Sequence, residues 1–340
     1  MNIKETNLLI HGDNLETMKY LLEHEYKGMI DLIYIDPPYF TQKDYYYTDK
    51  QKNQKVIAYS DKWNDLQSYL NFLRERLILM KELLSEKGSI YVQLDWRSVH
   101  YVKVMMDEIF GYKNFGNEIS WRRQIPRGMK SYAKFYPFNA DYILIYSKSN
   151  LAIWNKISKI NKLTIAEAER KYMKDEKGFF RSSETGNYSF ERLLKFYEEG
   201  RLLASQKGEI VIDKENKIIK STKGHVRLKY YRKQKGNFII EETPVDNIWD
   251  DIAGLGTVTS EKIGFDTQKP TALLKRVILA SSNEGNLIAD FFCGSGTTLA
   301  VAEKLNRRWI GVDSSDVSIE VAKKRLENAN YNFIQLKEDI

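Results

Sequence analysis

The stretch "LIYIDPPYF", Leu32 to Phe40, decides how this chain is read. A short apolar run bounded by a chain breaker reads as a buried strand. Proline has no N–H to give a ladder, so Pro37 and Pro38 stop that strand just after Asp36. A carboxylate, two rigid residues and two aromatic rings, Tyr39 and Phe40, therefore gather at one strand end. In open α/β sheets that end faces the ligand.

Similar segments surround it. "NLLIH" is a short buried strand that ends at Gly12-Asp13, and "NLETMKYLLEHE" has helical spacing with Asp13 or Asn14 as its N-cap. "DYYYTDKQKNQKVIAYSDKW" has no period and reads as a loop. Residues 66 to 86 read as an amphipathic helix, followed by the strand "SIYVQLD", the helix "SVHYVKVMMDEIFG" and the strand "DYILIYSK". Strand–helix alternation of this kind predicts a parallel sheet with helices on both faces.

From about 151 to 240 basic residues outnumber acidic ones about two to one, and apolar periodicity weakens. This segment reads as an inserted domain with a different task. The α/β pattern then returns. "ADFFCGSGTTLAVAEKL" sets Gly294, Ser295 and Gly296 between the strand "NLIADFF", which carries Asp290, and the helix that "GSGTTLAVAEKLN" opens. Glycines let a ligand approach the backbone there, and the N–H groups of the helix start face it. The next strand ends in Asp313, where an acid hydrogen-bonds ribose hydroxyls in such sheets. No lysine follows the last glycine and Leu299 replaces the third glycine of G-x-G-x-x-G, so phosphate-loop and dinucleotide readings fit poorly.

The 340 residues include 42% hydrophobic types, enough for a sizeable core, and carry a net charge of +7 with a pI near 9.0. That balance favours an acidic partner such as nucleic acid. One cysteine, Cys293, excludes a disulfide framework and a multi-cysteine zinc site, and the four histidines lack ligand spacing, so no metal is expected. The start lacks an apolar signal region and no run is long enough to span a bilayer, so a protein of a reducing, cytoplasmic compartment without a membrane role is expected.

Neither α/β piece makes a complete nucleotide-binding sheet, but joined they would. Asp290, Asp313, Asp13 and Asp36 would then share one strand edge. "DPPY" followed by "DFFCGSGTT" resembles the β-class of S-adenosylmethionine-dependent amino methyltransferases of DNA. "HGDNLETM", "FDTQKPTALLKRVI", "NFGNEISW" and "DYILIYSK" extend the similarity over roughly 1 to 150 and 245 to 330. Phe291 in place of proline and Asn139 in place of histidine are small departures.

The resemblance implies an α/β fold: a circularly permuted Rossmann-like methyltransferase sheet with an inserted small target-recognition domain. The catalytic domain would comprise 1–150 and 245–340, and the target-recognition domain 151–244. It implies S-adenosyl-L-methionine as cofactor, with S-adenosyl-L-homocysteine as product. Asp36, Pro37, Pro38 and Tyr39 would form the catalytic motif. Asp313 would hold the ribose and Asp13 the adenine amine. Lys269, Pro270, Thr297 and Thr298 would meet the methionine end, and Asp290 its amino group. Asp36, Phe292, Gly294, Ser295 and Gly296 complete the cofactor set.

The chemistry fits those residue types. An exocyclic amine is a poor nucleophile because its lone pair is delocalised into the base. Asp36 and the Pro37 carbonyl, each accepting one N–H, would draw the nitrogen toward sp³. The target base must leave the duplex, and Tyr39 offers a ring to stack on. Cys293 reads as a small core residue, since no covalent intermediate is needed. Adenine N6 is the expected target, because Asp before "PPY" is commoner for adenine in the family. Cytosine N4, an RNA or protein amine and a catalytically silent DNA-binding subunit are the alternatives. Arg122, Arg123, Arg127, Arg181, Arg227, Lys229 and Arg232 are candidate contacts to double-stranded DNA. A homodimer and a cognate restriction endonuclease are the other partners that the resemblance brings in.

Overall fold

The computed structural model describes residues 6–49, 54–124, 134–256 and 260–336. They fall into two compact units, 1–157 with 245–340 and 158–244.

The larger unit is built on one nine-stranded sheet. Its order is Ile248–Trp249, Phe115–Arg122, Ala140–Ser147, Leu84–Leu94, Ile30–Ile35, Leu287–Asp290, Arg308–Asp313, Asn7–His11, Tyr331–Gln335. The strand ending before Asp36 thus lies beside the strand ending in Asp290, with Leu32 opposite Ile288 and Ile33 opposite Ala289. From this central pair the sheet grows outward in both directions. Such a reversal of strand order opens a crevice at the carboxyl ends.

Alternate strand residues serve opposite faces. Ile33, Ile35, Ile90 and Val92 pack with helices Asn14–Glu23, Leu66–Leu83 and Val99–Phe110. Leu32, Tyr34, Tyr91 and Ile288 pack with helices Thr271–Ser281, Thr297–Lys304 and Asp316–Arg325. This explains the continuous apolar runs: a strand covered on both faces has no polar side. Each such fully buried side chain contributes about 1.5–3 kcal/mol.

Three expectations are corrected. The sheet is mixed, because Ala140–Ser147 runs antiparallel to both neighbours. A doubly buried strand looks alike in either direction, so its apolar run carries no sign of orientation. The stretch read as a loop is a hairpin of Lys43–Asp49 and Gln54–Asp61. Contacts distant in sequence support it: Thr48 N–H donates to the Gly264 carbonyl at 2.8 Å and Ala58 packs on Phe265. The helix from Leu66 stops at Leu83, where the next strand begins.

The smaller unit runs from Ser158 to Pro244. Residues 153 and 155 belong to the larger unit, with Ile153 N–H on the Lys87 carbonyl at 3.0 Å and Asn155 N–H on the Ala280 carbonyl at 2.7 Å. The chain leaves after Ile157 and returns at Val245, whose N–H donates to the Ile157 carbonyl at 3.0 Å. Residues 158–244 form antiparallel sheets of four, three and two strands with helices Ile165–Lys171 and Phe190–Glu198. Its two cores centre on Phe179 with Ile239 and on Phe196 with Leu228.

Candidate active site

The crevice holds two cavities, of about 250 Å³ and about 580 Å³, that share Asp36, Tyr59, Phe265, Thr267, Gln268 and Lys269 as walls. The first lies over the glycine loop. The second lies on the far side of Asp36.

The glycine loop shapes the first cavity. Gly294 and Gly296 have φ of +50° and +71°, which side-chain-bearing residues rarely adopt. A Cβ on Gly296 would stand 3.0 Å from the Cβ of Ala322, so glycine also permits the helix Asp316–Arg325 to pack close. Asp313 accepts Gly294 N–H at 2.8 Å and Ser315 N–H at 2.9 Å, bracing the loop from the next strand. Burial pushes the Asp313 carboxyl up from its usual range. Asp290, only 2% exposed, accepts Thr298 Oγ1 at 2.5 Å and Phe292 N–H at 3.1 Å. Burial pushes it further, to about 7, against the pull of those two donors.

Asp13, Asp36, Lys269, Asp290, Phe292, Gly294, Ser295, Thr297, Thr298 and Asp313 all line this cavity. Pro270 and Gly296 do not. Pro270 precedes the helix Thr271–Ser281, and Gly296 turns its N–H onto the Cys293 carbonyl at 2.8 Å. The Asp13 carboxylate is already engaged: it caps its helix through Leu15 N–H at 2.7 Å and pairs with Arg76 at 3.0 Å. Trp63, Phe72 and Phe265 add aromatic walls that the sequence alone did not single out. Cys293 is buried and its thiol is pushed well above its usual range by that burial.

Asp36 stands between the cavities. Tyr39 Oη donates to its Oδ1 and Lys269 Nζ to its Oδ2, and Lys269 also donates to the Thr267 carbonyl at 3.1 Å. Burial, with Asp36 beside it, holds the Tyr39 phenol well above its usual pKa, so it remains a donor. Pro37 and Tyr39 line the second cavity and Pro38 the first.

The second cavity carries polar groups that sequence reading missed. Asp95 bonds Arg97, and burial raises its carboxyl. Asp141 is 1% exposed and accepts Gln93 Nε2 at 3.0 Å; Gln93 in turn accepts Tyr34 Oη at 2.6 Å. Burial raises Asp141 to about 6, against the nearby Arg123 and Lys269 charges. A single acid just past an apolar strand, as Asp95, or near its start, as Asp141, carries no sequence signal that separates it from a turn former.

The basic candidates divide. Arg123 lines the second cavity and lies 3.0 Å from Asp141. Arg122 pairs with Asp250 at 3.1 Å. Arg181 is exposed. Arg227 is turned inward onto Ser182 at 3.0 and 2.9 Å, Lys229 onto Asp175 at 2.7 Å, and Arg232 lies over the Tyr172 ring. Arg127 lies outside the described residues. Among the described residues no group of acidic, histidine or cysteine side chains is placed to hold a metal, and no helix is long and apolar enough to cross a membrane.

A family model described as DNA methylase matches residues 30–324. The chain belongs to that family. A type II methyltransferase of Enterobacter cloacae, M.EcaI, is 32% identical over 94% of this chain and 69% of its own length. The StyLTI Mod subunit of a type III restriction-modification enzyme of Salmonella typhimurium is 27% identical over 98% of this chain. The chain spans 56% of that subunit's length. Among solved structures, a protein described as a putative DNA modification methylase from Thermus thermophilus, complexed with S-adenosyl-L-methionine, shares the fold with a TM-score of 0.51. It is 17% identical, over 98% of this chain and 99% of that one.

Proposed function

We propose that this DNA methylase family member transfers a methyl group from S-adenosylmethionine to the exocyclic N6 amine of an adenine flipped out of double-stranded DNA. The observation that carries this is the position of Asp36 in the wall common to the two cavities. A group held there can touch an amine entering from one side while a methyl donor occupies the other.

The first cavity suits the cofactor. Asp290, Asp313 and Asp36 set acids around a ligand that carries a sulfonium and an ammonium, and Trp63, Phe72 and Phe265 offer rings to its adenine. When bound, S-adenosylmethionine supplies an electrophilic methyl on positively charged sulfur. Asp36 accepts one N–H of the target amine and the Pro37 carbonyl the other, which frees the nitrogen lone pair. As the methyl–nitrogen bond forms and the methyl–sulfur bond breaks, the Asp36 carboxylate stabilises the positive charge on nitrogen. That nitrogen then loses one proton to water to give the neutral methylated amine. Lys269 and Tyr39 hold the carboxylate in place meanwhile. The Tyr39 ring, in the second cavity, stacks on the base and returns part of the cost of unstacking.

Adenine is favoured over cytosine because the residue before "PPY" is Asp36 rather than serine. The larger unit reads as a circularly permuted methyltransferase sheet, since the strand bearing the glycine loop comes late in the chain yet lies beside an early one. Residues 158–244, interrupting it, are proposed as the target-recognition domain, with Arg181 the exposed one among the candidate contacts Arg181, Arg227, Lys229 and Arg232. A second copy of the chain and a companion endonuclease, in line with the restriction-modification names of the relatives, complete the proposed partners. The test is to incubate the protein with tritiated S-adenosylmethionine and mixed-sequence DNA, then to digest and separate the nucleosides. N6-methyldeoxyadenosine is expected. N4-methyldeoxycytidine would overturn the adenine assignment, and label in RNA or protein but not in DNA would overturn the substrate class.

A further inference from the structure

Asp61 lies at the end of the hairpin strand Gln54–Asp61 and is 0% exposed. A buried carboxylate is costly unless its lone pairs are filled. Here five donors fill them. The backbone N–H groups of Tyr39, Phe40 and Thr41 reach it at 3.1, 3.1 and 2.8 Å. The Thr41 hydroxyl and the Trp63 indole add bonds of 2.6 and 2.8 Å. Three successive N–H groups turned onto one anion make a nest, and the anion is the protein's own side chain.

The turn it holds does not stand by itself. Phe40 and Gln42 have φ of +66° and +59°, a region that costs residues with side chains energy unless neighbours enforce it. The Asp61 carbonyl also accepts Gln42 N–H at 2.9 Å, so the grip continues one residue further. This turn is the one that carries Pro37, Pro38 and Tyr39. Trp63, on the other side of the carboxylate, lines the cofactor cavity.

We propose that Asp61 is the positioning residue of the catalytic turn: its carboxylate fixes the Tyr39–Thr41 backbone, and so fixes where Asp36, the Pro37 carbonyl and the Tyr39 ring meet the target amine. Asp61 belongs to the wall of the second cavity, but its carboxylate is 0% exposed and occupied by those five donors, so it acts through the turn and not on the reacting atoms. The inference rests on the methyl transfer proposed above.

The test is Asp61→Asn, which keeps the shape but replaces one acceptor with an NH₂ group facing N–H donors. Misplacing reacting groups by an ångström costs about 10²-fold, so kcat is expected to fall by about that factor. The dissociation constant for S-adenosylmethionine, measured by calorimetry, is expected to stay within a few-fold of the parent. Thr41→Val removes one of the five donors and is expected to lower kcat about tenfold. A merely structural role would weaken cofactor binding and kcat together. A folded Asp61→Asn protein with parental kcat would overturn the proposal, as would parallel losses in kcat and cofactor affinity. If Asp61→Asn does not fold, an unchanged kcat in Thr41→Val overturns it. Amide exchange gives a readout independent of turnover: the amides of Tyr39, Phe40 and Thr41 are expected to be protected in the parent and exposed in Asp61→Asn. Equal protection would refute the grip on the turn. A parent that methylates no DNA while its amides behave as expected would refute the proposed activity and leave Asp61 as the anchor of a turn with another task.

Discussion

Replacing Asp36 by asparagine tests the site most directly. The side chain keeps its size, but only one oxygen remains to accept, while Lys269 and Tyr39 both donate to the carboxylate. Lys269 is 13% exposed and Asp36 16%, so the ammonium loses its counter-charge in a poorly hydrated place. A hydrogen bond to a charged group contributes about 1.5–3 kcal/mol, and one preorganised group facing transition-state charge about 2.7–4 kcal/mol. The second figure applies to turnover, so kcat is expected to fall about 10²- to 10³-fold. Asp36 also lines the first cavity, but only as one acid among several, so S-adenosylmethionine is expected to bind within about fivefold of the parent, under about 1 kcal/mol. Lys269→Met is expected to cost less, since Asp36 keeps the Tyr39 bond. The double variant should be no slower than Asp36→Asn alone, because the lysine acts through the carboxylate. Initial rates with tritiated cofactor and a calorimetric titration measure both quantities. A fall in kcat smaller than about fivefold, or a double variant in which the two losses multiply, would refute the reasoning.

Asp290 is held near 7 by burial, against an ordinary value of 3.8, so the folded state favours its neutral form. Folding stability of the ligand-free protein is therefore expected to decline as pH rises from about 4 to 7 and to level off above that, and Asp290→Asn should flatten the curve in chemical denaturation. An ammonium beside Asp290 needs the ionised acid, so S-adenosylmethionine should bind about fivefold tighter at pH 7 than at pH 6, with proton release in calorimetry. Gly296→Ala should destabilise the protein by about 1–3 kcal/mol, through its positive φ and the 3.0 Å approach to Ala322; a melting temperature equal to the parent's would count against the close packing. Arg181→Ala should weaken DNA binding and reduce its salt dependence by about one phosphate contact, whereas Arg227→Ala should chiefly lower the stability of residues 158–244, because that guanidinium is spent on Ser182. Filter binding across salt concentrations and proteolysis of the smaller unit separate the two.

Much of the plan lay in the linear sequence because its signals are local. A proline pair stops a strand wherever it occurs, and a glycine loop before a helix needs no distant partner to be recognised. The apolar runs of Leu32–Ile35 and Leu287–Ala289 likewise announce strands covered on both faces. Asp36, Asp290 and Asp313 could be placed at strand ends for the same reason. What the chain could not announce were properties of pairs. The direction of Ala140–Ser147 depends on its neighbours in the sheet. The hairpin at 43–61 is held by Gly264 and Phe265, which are far away along the chain. Arg227 and Lys229 look free as letters but are turned inward by Ser182 and Asp175. Asp61 is one more acid in a tyrosine-rich stretch until folding brings three backbone N–H groups around it. Local stereochemistry therefore settled where strands end and where a ligand could approach. Only the packed structure decided which charges remain available and what holds the turn after Asp36, because the partner of a buried polar group is chosen in space.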